Sequence, residues 1–487
     1  MNSPFAILAV SVAFVVVAIG RLRLHAFLAL ILAAFLVGIL TTSFSSAAIE
    51  RLPPALRAEA QSNRLVAAVE LTSLEFGAAA GSIAISIGLA AIVGLGLMES
   101  GAADKVVRRF LAICGEKRAA WALLASTYIL SIPIFFDTMF MLMIPLARAL
   151  SLRTGRDYLL YVMVICCGAI VTHSIMVPHP GPLAMVDNLR VDAGQSLLWG
   201  LAAGIGPCLF GLLLAVWINR RMDVPLRETP GTAIAELHTI AHKPESELPS
   251  FAWSVSPVLV PILLIGAASF WKLLAPYPGV VNLLGGPEAF SRIAGITSFI
   301  GNKNVALSLG AGLALWLLAR RSPGSTSGIS EKLEQPLSTA AVIILITAAG
   351  GAFGAMLRHA GVGEAIKGLA QAYDIDLLVL AGLTATGLRI AQGSATVSML
   401  TTSAILWPII DLETNAELPF HSMYVFLAIG FGSFGGSWMN DSGFWVVSRL
   451  GGLTTRETLR SWSVLVTLVS LSGLALTVVL SRLFPSV

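Results

Sequence analysis

Charge is what this sequence has least of. Only 12% of its 487 residues are Asp, Glu, Lys or Arg, where a soluble chain carries about a quarter. That excludes a water-facing surface over most of its length. Cysteine is scarce too: Cys114, Cys166, Cys167 and Cys208 are the only four, and no two form a C-x-x-C pair. Neither a disulfide framework nor a zinc site is suggested by that count and spacing. No apolar stretch ends in a signal-peptide cleavage pattern, because Met1–Gly20 runs straight into a basic turn and a second apolar run. Neither G-x-S-x-G nor H-E-x-x-H occurs, which leaves an enzyme without a recognisable catalytic motif. The net charge of +4 is too small to imply a nucleic-acid partner, and fits basic cytoplasmic loops instead.

What is present is apolar sequence. Hydrophobic residues make up 56% of the chain, with a mean hydropathy of +0.84. Runs of roughly 17–25 apolar residues are each long enough to cross a bilayer, so the chain reads as an all-α polytopic membrane protein. The expected spans lie near 4–20, 24–41, 82–99, 119–135, 158–177, 194–218, 253–275, 304–319, 337–357, 375–388, 421–436 and 462–483. Shorter apolar pieces at 138–150, 180–187, 396–410 and 443–450 suit half-helices or arms of re-entrant hairpins.

Loop charges give a path. Arg21 and Arg23, Lys105–Arg118, Arg148–Arg156, Arg220–Arg227, Arg320 and Arg321, and Arg449–Arg460 all fall on one side if that side is the cytoplasm. Both termini then lie outside, as does the acidic loop Asp411, Glu413, Glu417. The polar stretch 223–250 becomes a cytoplasmic linker between a first half, 1–222, and a second, 251–487.

The halves resemble each other. GLGLMESGAAD (94–104) matches GAMLRHAGVGE (354–364), pairing Gly94 with Gly354, Gly101 with Gly361 and Asp104 with Glu364. PIFFDTMFMLMI (133–144) parallels RIAQGSATVSML (389–400). HSIMVPHPG (173–181) parallels GSWMNDSGF (436–444). On the loop-charge path 82–99 runs inward and 337–357 outward, so the repeats are inverted in topology, a common plan of secondary transporters.

Polar and helix-breaking residues interrupt both halves at matching places: Pro133–Thr138 and Pro178–Pro182 in the first, Arg389–Thr396 and Asn440–Gly443 in the second. Non-helical backbone is tolerated at membrane depth only where it is buried in protein or lines a cavity. Half-helix N-termini at such a cavity suit an anion.

FFDTMFMLMIPLARAL, HSIMVPHPGP, RIAQGSATVSML and NDSGFWVVSRLGGLTTRETLRSWSVL resemble the gluconate:proton symporter family, the GntP-type permeases, from about Phe76 to Val464. The resemblance implies a carrier of gluconate or a related sugar acid in the bacterial inner membrane, with D-serine or other small hydroxylated carboxylates as variants. It also implies two re-entrant hairpins, an elevator-type motion and a homodimer in the lipid bilayer. Two departures bear on the substrate: Lys303 in GNKN, and Met176-Val177 where gluconate carriers would have a further proline.

On this reading the coupling ion is a proton and no cofactor is needed. Asp137, His173 and Asp441 are the candidate proton-coupling groups, since an intramembrane acid costs about 2.5–3.5 kcal/mol and needs a reason to be there and histidine titrates near neutral pH. Asp441 serves equally as a cap for the half-helix that follows it. Thr138, Ser174, His179, Arg389, Gln392, Ser394, Thr396 and Asn440 are the candidate substrate-binding groups, offering hydroxyls, amides and cations to a polyhydroxylated carboxylate. Arg389 is equally readable as a partner of Asp137 or as a side chain reaching for the outer interface. Lys303 and Asn302 fall at the expected outer entrance, where a cation attracts anions. Rival readings are sodium coupling through carbonyl and hydroxyl oxygens, an anion channel, and an intramembrane enzyme using His173 and Asp137.

Overall fold

The computed structural model describes residues 3–222, 224–227, 247–275, 278–283, 286–321, 326–362, 365, 376–410, 418–439 and 441–485. The acidic loop 411–417, most of the linker, Glu364 and Asn440 lie outside the described residues, as do the side chains of Ala391 and Gln392. The described chain is helical, with no strand.

The first half runs α1 Pro4–Gly20, α2 Ala26–Leu40, α3 Ser46–Glu50, α4 Pro54–Ser62, α5 Arg64–Glu99, α6 Ala102–Cys114, α7 Ala119–Leu130, α8 Phe136–Thr154, α9 Tyr158–Ile175, α10 Pro180–Asn188 and α11 Ala193–Arg221. The second runs α12 Phe251–Leu274, α13 Pro278–Leu283, α14 Gly286–Ile300, α15 Lys303–Arg321, α16 Thr326–His359, α17 Leu377–Gln392, α18 Ala395–Ile410, α19 Met423–Gly432, α20 Ser442–Leu450, α21 Thr455–Thr458 and, after a π-helical turn Leu459–Ser463, α22 Val464–Leu483.

Local chemistry explains most boundaries. Asn63 caps α5 by accepting from the Leu65 N–H at 3.0 Å, and Asp376 caps α17 by accepting from Leu378 and Val379. Asp192 caps α11 through Gly194 and Gln195 while also accepting from Ser269 Oγ of α12. Thr454 and Glu457 form a capping box at α21. Gly101 and Gly361, paired by the repeat, both stand in the left-handed region, at φ 74 and 72. On the linker, Arg227 grips Glu457 through two hydrogen bonds of 2.7 and 2.8 Å, and this carboxylate raises the guanidinium pKa above its ordinary value.

Two expected spans were too short: 337–357 is the later part of α16, which begins at Thr326, and 82–99 falls likewise. The run 82–99 is the second part of a 36-residue helix that starts at Arg64. Glu70 and Glu75 kept its first part out of the expected spans. Glu75 is tolerated there, buried, because Arg51 reaches it at 2.6 Å and His359 Nε2 at 3.1 Å. The short apolar pieces behave as expected, each beginning a new helix after a break: α8, α10, α18 and α20.

The packing is reciprocal between halves. Within each half the helix before a hairpin break lies on an enclosed helix: α7 on α9, and α17 on α19. Across the halves, α10 packs on α18 and α20 packs on α8. Every residue of α19 is buried, and in α9 all but Leu160 and His173. A helix that is apolar all round must be wrapped in protein or lipid; these two are wrapped in protein, so the broken backbone that follows them faces the interior.

The enclosure depends on bare backbone contacts. A Cβ placed on Gly432, at the end of α19, would stand 2.2 Å from the Gly382 carbonyl oxygen of α17. Backbone cannot step aside as a side chain can. Gly432→Ala is therefore expected to part the two helices and cost about 1–3 kcal/mol; thermal unfolding of the detergent-purified protein checks this.

Candidate functional site

All four interruptions meet at one place. The first, 131–135, contains Pro133, which lacks a donor N–H, and closes with a turn from Ile134 N–H to Ser131 C=O at 3.2 Å. The second, 176–179, turns through His179 N–H to Met176 C=O at 3.1 Å, and Pro180 opens α10. The third is Gly393-Ser394, where Gly393 at φ 75 ends α17 and Ser394 Oγ accepts from the Val397 N–H of α18. The fourth runs from Ser433 to Asp441, with Asp441 Oδ1 accepting from Gly443 N–H at 3.0 Å to cap α20.

Between them lies a cavity of about 230 Å³. Phe136 and Asp137, Pro180, Ala395 and Thr396, and Ser442 and Gly443 are all in its wall. These are the first residues of α8, α10, α18 and α20, so four helix N-termini open onto one small space. Each carries roughly half a positive charge, and the N–H groups left over by Pro180, Pro182 and the Ser394 and Asp441 caps have no partner within their own helix. Such an arrangement favours an anion.

The opposite charge is already spoken for on one side. Arg389, buried, donates to Asp441 Oδ2 and to the Gly393 carbonyl at 2.5 Å. Asp441 Oδ2 also accepts from Ser437 Oγ, which in turn accepts from the Trp462 indole N–H at 2.8 Å. This chain fixes the third break against the fourth and ties both to the π-helical turn. Trp462 lies 5.3 Å, centroid to centroid, from Phe136 at the start of α8. Arg389 Nε is left without a partner among the described residues.

Asp137 is different. Its carboxylate is open to the cavity and hydrogen-bonds no described residue. His173, in the last turn of α9, also lines the cavity, and its Nδ1 is buried without a partner among the described residues. The His179 ring lies 4.7 Å from His173, and its Nε2 meets the Ser131 carbonyl at 2.6 Å.

The expected residues thus divide. Asp137, His173, Arg389, Ser394, Thr396 and Asp441 share the cavity wall. His179 does not; its ring, 1% exposed, joins the second break to the first. Ser174 is buried with an unpartnered Oγ, also outside the wall, and Thr138 stands just beyond Asp137. Asn440 lies outside the described residues, and so does the Gln392 side chain. Arg389 pairs with Asp441, not with Asp137, and does not reach the interface, because Asp441 waits at the facing break. Lys303 pairs with Asp187 at 3.6 Å. PHPGP and QGSAT are neighbours: a Cβ on Gly181 would stand 3.5 Å from Thr396 Cα. The sequence reading missed Thr347, Phe135, Phe136, Ser437 and Trp462. A lone hydroxyl or aromatic in an apolar helix carries no signal of its own; Trp462 was only one residue of the long NDSG…RSWSVL block, which ends in the π-helical turn and the start of α22.

The GntP family permease model matches residues 62–483 of the chain. A gluconate permease of Pseudomonas aeruginosa is 32% identical over 97% of this chain and 96% of its own length. The inner membrane permease YgbN of Escherichia coli is 34% identical over 82% and 86%, and the L-idonate transporter of the Gnt-II system of Escherichia coli is 30% identical over 97% of both. In fold, the chain is similar to the MtrF efflux pump of Neisseria gonorrhoeae, with a TM-score of 0.63, 14% identity and coverage of 95% and 96%. It is similar also to the YdaH transporter of Alcanivorax borkumensis, with a TM-score of 0.59, 14% identity and coverage of 94% and 98%. Family and fold agree with a cavity built from broken helices inside an apolar bundle: the chain belongs to the GntP family of permeases, multi-pass inner-membrane transporters and not enzymes.

Proposed function

We propose that the protein is a proton-coupled symporter for a small hydroxylated carboxylate, with gluconate or a related sugar acid first. The observation that carries this reading is the meeting of four helix N-termini at one cavity that also holds an unengaged carboxylate. The names of the relatives, gluconate permeases and an L-idonate transporter, favour the same chemistry. The substrate carboxylate takes the N–H groups of α18, the single Gly181 N–H that the prolines leave on α10 and the guanidinium edge of Arg389. Its hydroxyls bond Ser394, Thr396 and His173, which line the cavity. Asp137 takes the proton, because Asp441 is already held by three donors. A negatively charged substrate beside an ionised Asp137 is repelled. Protonation removes that repulsion and leaves a loaded site whose charge is cheaper to carry through low dielectric.

In this reading residues 1–222 and 251–487 are two inverted repeats joined by the linker 223–250. The pair moves the site from face to face in an elevator-like step within a homodimer.

Sodium coupling is the nearest rival, and a D-amino acid such as D-serine the nearest rival substrate; an anion channel is the rival from another class. A thermal-shift screen of the purified protein against sugar acids, hydroxy acids and D-amino acids separates the substrates. A ligand at a hundred times its Kd is expected to add about 2.7 kcal/mol to stability. Proteoliposome uptake then separates the ions. Gluconate accumulation that follows a sodium gradient and ignores a pH gradient ends the proton reading, and non-saturable flux ends the carrier.

A further inference from the structure

A second cavity, of about 580 Å³, adjoins the first, and Thr347 stands in the walls of both. Its wall is far more charged: Arg51, Glu75, Asp187, Arg190, Arg358 and His359 line it, with Trp407. Both carboxylates are answered from within the protein. Glu75 is met by Arg51 and His359, and Asp187 by Lys303. The wall as a whole carries more basic than acidic side chains. Arg190 lies over the Trp407 ring at 5.0 Å. Arg358, at the end of α16, makes no hydrogen bond or ion pair with any described residue, although it stands in a cavity wall. Glu75 acts on it electrostatically but is already shared between Arg51 and His359, so this guanidinium, without a hydrogen bond among the described residues, is left for water or an anion to meet.

Location adds a second argument. Arg51 precedes α5, Arg190 follows α10, Arg358 ends α16 and Trp407 is in the last turn of α18. On the loop-charge path every one of these ends is external, opposite the basic cytoplasmic loops.

We propose that this cavity is an anion-collecting antechamber: the carboxylate of an incoming substrate rests on Arg358 and Arg190 before passing Thr347 into the deeper site. The proposal rests on reading the chain as a carrier of small carboxylates. A cleft of one sign with low-dielectric walls raises the local concentration of the opposite ion. It also lets the carboxylate shed water in two steps, exchanging hydration first for guanidinium and then for helix N-termini.

Two measurements test it. In proteoliposomes, Arg358→Gln is expected to raise the KM for gluconate about tenfold with Vmax held, the signature of lost anion capture. Arg358→Lys, which keeps the charge without the planar fork, is expected to fall between the two and carries the test if the Gln variant does not fold. Separately, acetate offers a carboxylate without hydroxyls. Titrating it against tryptophan fluorescence is expected to give a response that Trp407→Phe removes and Arg358→Gln weakens about tenfold. An acetate response unchanged in Arg358→Gln, or a wild-type KM for gluconate in both Arg358 variants, overturns the antechamber. An Arg358-dependent acetate response in a protein that takes up no sugar acid keeps the antechamber and overturns the substrate reading instead.

Discussion

Asp441→Ala is expected to leave little folded protein in the membrane. The substitution strips Arg389 of its counter-charge while the guanidinium stays buried, 4% exposed between α17 and α20. Removing one partner of a buried pair costs about 3–5 kcal/mol, and loss of the α20 cap adds about 1 kcal/mol. Set against a total stability of about 5–15 kcal/mol, that is a large share. The Ser437–Trp462 link loses its anchor as well, freeing the π-helical turn from the fourth break. The companion experiment separates folding from function. Arg389→Met combined with Asp441→Leu removes both charges together, and such replacements are often neutral or stabilising. The double variant is expected to recover yield and thermal midpoint in detergent while transporting nothing, because the guanidinium edge facing the cavity is gone. An Asp441→Ala protein as stable as the unaltered one would show that the pair is not what holds the third and fourth breaks together.

The second large effect belongs to Asp137. Asp137→Asn keeps the shape of the side chain and breaks no hydrogen bond to a described residue, so the protein is expected to fold and to bind substrate. What it loses is the proton. One proton carried with one monovalent anion moves no net charge, so each unit of pH difference, worth about 1.4 kcal/mol, supports about tenfold accumulation. In proteoliposomes the Asn variant is expected to reduce that ratio to one. Exchange of labelled for unlabelled substrate, which needs no net proton movement, is expected to continue. The two assays together distinguish a lost coupling group from a lost binding group. Accumulation that still tracks the pH gradient in the variant would move the proton to His173 or elsewhere.

The breaks were the most legible part of the molecule. Pro133, the prolines of PHPGP, Gly393 and the NDSG run each punctuate apolar sequence with residues that cannot continue a helix, and each is a helix boundary in the structure. Asp441 as a cap was legible for the same reason, since an Asp two residues before a helical glycine can reach its N–H. The partners of the charged residues were not. Arg389 is closest in sequence to the QGSAT break, yet its carboxylate is Asp441, 52 residues on. His179 sits in a motif that invites a substrate role, yet its ring binds the Ser131 carbonyl of the neighbouring break. Glu75 fell outside the expected spans, and Arg358 just beyond the end of one.

The sequence alone settled that this chain crosses a membrane many times, and where its apolar runs are interrupted at corresponding points of the two halves. Those properties depend on composition and on a residue's immediate neighbours. Tertiary structure alone decided which polar groups face one another, that six of the expected residues share one wall, and that a basic chamber adjoins it. Helices apolar on every side present no polar face to fix their rotation. Which way each turns its few polar groups is therefore set only when close backbone contacts, such as Gly432 on Gly382, lock the bundle.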